Sequence, residues 1–133
     1  MLNVKKTLTK ILQRIDVLET RTLLWTNPNP DSSFAGQKVA VDLTNYDSVE
    51  IEVKNIASSE YMVANTYRSK KGEKGLILAS AATNRERDIN DIDNTGITFG
   101  NGIVYNTYGG GQSTDNNRLI PIRIFGIKLG GGN

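Results

Sequence analysis

The residues able to do chemistry in this chain are its carboxylates, because the sequence has neither histidine nor cysteine. Without imidazole there is no base for a Ser-His-Asp or Cys-His nucleophile, and no zinc site of the usual nitrogen and sulfur ligands. Disulfides are excluded as well. Hydrolysis of a glycosidic bond needs two carboxyl groups about 5 to 9.5 Å apart, one of them kept protonated. Asp88, Asp91 and Asp93 could supply such a pair, and so could Glu50 with Glu52. The three aspartates with loop carbonyls could instead hold Ca²⁺, although DINDIDNTG lacks the 1, 3, 5 ligand spacing and closing glutamate of an EF-hand. The plainer reading outweighs both: a solvated loop over Asn84 to Asn94, and Glu50 and Glu52 on the wet face of a strand. GGGQSTDNN is not followed by a lysine-bearing helix start, so it does not match a phosphate loop. No catalytic residue, metal or cofactor is expected.

Binding chemistry is better represented. Tyr61, Tyr67, Tyr105 and Tyr108 fall in or beside β-prone runs that also carry Asn65, Asn106, Gln112, Asp115, Asn116 and Asn117. A tyrosine face stacks on a sugar ring or a peptide side chain, while amides and carboxylates bond hydroxyls. Tyr105, Tyr108, Gln112, Asp115 and Asn116 are therefore the candidate ligand-binding residues. The competing reading places such tyrosines at the boundary of a core.

The elements that must hold these groups are strands. Val39, Val41 and Leu43 alternate with polar neighbours, and Val49, Ile51 and Val53 do so more cleanly. Glu60 to Arg68 and Lys74 to Ala82 read as a hairpin around Ser69-Lys70-Lys71-Gly72-Glu73, with a solvated cationic tip. Gly96 to Phe99 and Gly102 to Tyr108 read as a second hairpin, followed by an open loop to Asn117. Arg118 to Lys128 is the last strand, and Pro121 puts it at an edge or gives it a bulge. Seven or eight short strands without a second helix predict a β-sandwich, jelly-roll-like or of similar Greek-key kind.

The N-terminal stretch has a different period. Val4, Leu8, Ile11, Ile15 and Leu18 recur at steps of four and three, which places them at the d and a positions of a heptad. Arg14 falls at g and Glu19 at the next e, where parallel helices pair charges across their seam. RIDVLE, Arg14 to Glu19, resembles the trimerisation motif R-h-x-x-h-E of parallel coiled coils. The core residues alone leave the number of strands open, and a helix folded back on its own domain is the alternative. The expected organisation is a coiled-coil stem helix over residues 1–21, a β-sandwich head over 22–129 and a disordered tail over 130–133. Trp25 either caps the seam or lies within the head. Asn27-Pro28-Asn29-Pro30 cannot continue a helix.

A chain of 133 residues is one domain's worth. Sixteen basic against fourteen acidic residues give a net charge of +2, too small and too scattered for a nucleic-acid groove. No run of about 18 apolar residues spans a membrane, and the N-terminus carries no signal-peptide apolar region.

The segment LLWTNPNPDSSFAGQKVAVDLTNYDSVEIEVK, Leu23 to Lys54, and the closing RLIPIRIFGIK, Arg118 to Lys128, resemble the start and end of small head domains of bacteriophage and prophage tail-associated proteins. The resemblance implies a homotrimeric receptor-binding, tail-fibre or baseplate head that binds a saccharide or protein receptor of the host surface. It also implies a place on the virion tail, outside the cell after lysis. No receptor-contact motif comes with it. A purely structural virion or assembly protein, and a carboxylate-based polysaccharide-cleaving enzyme, are the other readings.

Overall fold

The computed structural model describes residues 19–57, 65–80, 84–106 and 110–130. Among them run nine strands: β1 (Glu19–Thr26), β2 (Gln37–Ala40), β3 (Ser48–Ile56), β4 (Asn65–Lys70), β5 (Gly75–Ser80), β6 (Asn84–Asp93), β7 (Gly96–Tyr105), β8 (Gln112–Thr114) and β9 (Arg118–Leu129). They make two antiparallel sheets, ordered β1-β9-β3-β4 and β2-β7-β6-β5, with β8 paired to β7 beyond the end of β2. The described residues are mainly β and contain no helix.

Alternation in β3 sets the plan. Val49, Ile51 and Val53 are fully buried and share one core with Ile120 and Ile124 of β9 and with Ile89, Ile92, Ile97 and Phe99 of the second sheet. Each such side chain contributes roughly 1.5–3 kcal/mol when removed from water. Val49 pairs with Gly126, and the Tyr46 ring lies on that glycine so closely that a Cβ there would sit 2.6 Å from the ring. Pro121 is accommodated in the centre of its sheet by a bulge: Glu52 pairs with Arg123 and Val53 with Pro121, so Ile122 is left over. Of the two expected placements for that strand, the bulge is the one found.

Several expectations are corrected. β4 and β5 do not form a hairpin, because β4 pairs with β3 and β5 with β6, and the turn between them carries the chain from one sheet to the other. Its cationic tip is not simply solvated, since Lys71 Nζ donates to Leu43 O at 3.0 Å and to Asn94 Oδ1 at 2.7 Å. Asn84–Asp93 is a strand and not a loop, held on both sides by β5 and β7. Gly96–Tyr105 is one strand, with Gly100 and Asn101 bulged where a turn was expected. The open loop before Asn117 contains the short β8.

Of the stem residues, Val4, Leu8, Ile11, Arg14, Ile15 and Leu18 lie outside the described residues, as do 131–133 of the expected tail. Glu19 does not sit at a helical e position: it opens β1 opposite Leu129, and its carboxylate meets the Arg68 guanidinium at 2.5 and 3.0 Å. Thr20 and Thr22 suit an extended backbone, and the free edge of β9 offers it a ladder. Trp25 packs against the core of the strand domain.

The outer face of the first sheet corrects a second reading. Glu50 and Glu52 are 8 % and 9 % exposed, where solvent exposure was expected. Arg21 bonds both, at 2.8 and 3.1 Å, while Arg68 takes Glu50 at 2.9 Å and Arg123 takes Glu52 at 2.8 Å. The Arg21 guanidinium also lies 3.5 Å over the Phe125 ring. Each acid thus bonds two arginine side chains that also screen it from water, a network of the kind in which single-partner removal leaves charge uncompensated.

Candidate ligand-binding face

β6 lies at the middle of the second sheet, and its side chains alternate between the core and the opposite face. Arg87 and Ile89 turn inward and are buried. The intervening positions face out, where the register forms two cross-strand rows: Leu78, Glu86, Ile103 and Thr114, then Asn84, Tyr105 and Gln112. Leu78, Asn84 and Tyr105 of this face, with Ala79 from the core side of β5, line a recess of about 490 Å³. Leu78 is 62 % exposed and Leu76, farther along β5, is exposed as well.

The Tyr105 hydroxyl donates to Glu86 Oε2. That bond fixes the ring and raises the pKa of the phenol, with burial and the charges of Glu86 and Asp88 adding to it. An aromatic ring held at its tip, beside apolar and amide side chains on a rigid sheet, is a surface on which a sugar ring or apolar side chain can stack.

Asp88 stands on the same face, two residues from Glu86. Its carboxyl is pushed up, first by a hydrogen bond with Glu86, then by burial and the Glu86 charge, and its Oδ1 is buried without a hydrogen-bond partner in the structure. Between the ordinary aspartate value and the raised one, the folded chain therefore holds a proton that the unfolded chain releases. That contribution is fully present below the ordinary aspartate value and fades as pH rises through the raised one. Asp88→Asn should remove the repulsion, raising stability at neutral pH by on the order of 0.5 kcal/mol and flattening the pH dependence above the ordinary aspartate range. Thermal melts of both proteins from pH 4 to 7 measure it, and a variant less stable than its parent at pH 7 would refute the account.

Of the five expected ligand residues, Tyr105 and Gln112 are brought together as a register pair between β7 and β8. Asp115 and Asn116 are not on this face but build the turn before β9. The Asp115 carboxylate takes Arg118 Nε at 3.0 Å, and Asn116 Oδ1 accepts from the Gly102 amide at 2.9 Å. Tyr108 and Tyr61 lie outside the described residues, and Tyr67 packs against the core. Asp93 accepts from the Thr95 and Gly96 amides and pairs with Lys38, and its carboxyl is held down at about 2, chiefly by the Thr95 hydroxyl and amide. Among the described residues no group of three or more carboxylates that could hold a metal ion is found.

Arg87, which motif reading passed over, organises the region behind this face. It is fully buried, and its guanidinium donates to four main-chain carbonyls: Leu119 at 2.7 Å, Phe34 at 2.9 Å, Gly100 at 2.8 Å and Arg118 at 2.8 Å. It also lies 5.3 Å from the Phe34 ring centroid. Burial lowers its pKa to about 10, so it stays charged at neutral pH. Leu119, whose carbonyl it holds, has a φ of 48°, a left-handed conformation uncommon for a residue with a branched side chain. The signal available in the sequence was phase: Arg87 is two residues from Ile89 and so shares its inward face.

No family model matches the chain, and no match is found among characterised proteins or solved structures.

Proposed function

We propose that this chain is a trimeric, phage-type receptor-binding module that recognises host cell-surface carbohydrate, without turnover, through the outer face of its second sheet. The observation that carries the reading is Tyr105, a ring fixed by Glu86 and bordered by Leu78, Asn84 and Gln112 on one rigid face. The heptad of Val4, Leu8, Ile11, Ile15 and Leu18 supports a threefold assembly through its RIDVLE segment. Three weak sites on one axis gain avidity without any single site being tight. A jelly-roll-like head is supported by the path of the chain, which alternates between sheets from β1 to β3 and returns through β9 between them.

Labelled protein applied to an array of bacterial envelope glycans should show saturable binding that Tyr105→Ala abolishes at unchanged melting temperature. Light scattering should give three times the chain mass. Binding that survives Tyr105→Ala, or a monomer that binds as tightly, would overturn the reading.

A further inference from the structure

A second recess, beside the C-terminal end of β1, has the makings of a site of its own. It is a cleft of about 340 Å³, near the lower end of the range of ligand pockets, lined by the segment from Trp25 to Phe34 and by Gln37 to Ala40 of β2. A strand that offered the cleft only one of its faces would contribute every second residue. All four residues of β2 line it, so the strand meets the cleft edge-on.

Among the described residues nothing pairs with that edge. β2 has β7 on one side only, and Val41 N donates to Thr95 O, so the main chain of Val39 and Val41 points at β7. In an antiparallel ladder alternate residues point the other way, which leaves the N–H and C=O of Lys38 and Ala40 aimed into the cleft. A sugar hydroxyl both donates and accepts, which matches donors and acceptors held rigidly side by side. Gln37 and Asn29 add amides, and the Trp25 indole supplies an apolar wall. Among the described residues that line it Lys38 is the one cation, and it is already paired with Asp93 at 3.4 Å and bonds Thr95 Oγ1 at 2.5 Å. Asp93 keeps its charge down to about pH 2, so Lys38 is neutralised and the cleft has no net call for an anion.

We propose that this cleft binds an uncharged pyranose, its apolar face against Trp25 and its hydroxyls on the main chain of Lys38 and Ala40 and the side-chain amides of Gln37 and Asn29. The assignment is independent of Tyr105. It places the sugar about 20 Å along β1 from Glu19, at the C-terminal end of that strand.

Trp25 is the chain's one tryptophan, so its fluorescence reports the cleft directly in the unlabelled full-length protein. Titration with glucose, galactose and N-acetylglucosamine should give a saturable change for at least one of them in the millimolar range. Gln37→Ala should weaken it by about tenfold, the loss expected for one hydrogen bond. Ala40→Pro removes an amide that faces the cleft and not the ladder, which an edge strand tolerates, and should weaken it similarly. Tyr105→Ala should leave the titration unchanged, so that failure here and failure of the Tyr105 reading are told apart. No saturable change with any of the three sugars, a change untouched by Gln37→Ala, or a response to tetra-alanine in their place would each overturn the proposal, the last by marking the edge as a peptide-docking strand.

Discussion

Arg87→Met should lower the free energy of unfolding by about 3–5 kcal/mol, measured as the shift of the urea midpoint at constant slope. The methionine fills much of the volume of the arginine stem, so little of the loss comes from a cavity. The loss comes from the carbonyls of Phe34, Gly100, Arg118 and Leu119, each of which gives up its bond to the guanidinium in a buried setting. An unsatisfied buried acceptor costs about 1–3 kcal/mol. Arg87→Lys should recover little, because a single ammonium cannot spread its three donors over carbonyls that belong to three separate segments of chain. A lysine variant as stable as the parent would mean that charge alone matters there, and would sink this account.

Gly102→Ala should cost roughly 2–3 kcal/mol, the second largest effect expected. A Cβ at this position would run into the main-chain oxygen of Asp115 and come within 2.9 Å of Arg87 Nη2 and 3.1 Å of Arg118 O. Those neighbours cannot simply swing aside. Asp115 N donates to Gly102 O and Gly102 N donates to Asn116 Oδ1, so the turn before β9 is docked on the glycine by its own backbone. Because the added methyl would dislodge the carbonyl that Arg87 holds at Arg118, the two substitutions should not add: Arg87→Met with Gly102→Ala should cost less than the sum of the singles. Strict additivity in a double-mutant cycle would separate the glycine from the arginine cage.

The cage also explains where sequence reasoning stopped. Val49, Ile51 and Val53 announced their strand by period alone, since everything that decides it lies within the strand. Glu50 and Glu52 show the same period but not their burial, because the arginines that cover them come from positions 18 to 71 residues away. Arg87 looked like one charge among many in Asn84–Asp93, and its partners are backbone carbonyls, which carry no side-chain signature at all. Tyr105 and Gln112 were legible as residue types suited to a ligand and meet across β7 and β8. Asp115 and Asn116 share those residue types, yet their side chains serve the turn, since aspartate and asparagine bond nearby backbone as readily as they bond a ligand. The cleft beside Trp25 had no motif because part of its wall is the main-chain edge of a strand.

β1 begins opposite the residue at which β9 ends, Glu19 facing Leu129 across the first sheet. The domain's way in and way out are therefore neighbours. It can be hung from a carrier by either flank, spliced into another protein's surface loop, or relinked head to tail and opened at a new point, while both recesses keep their place in the fold.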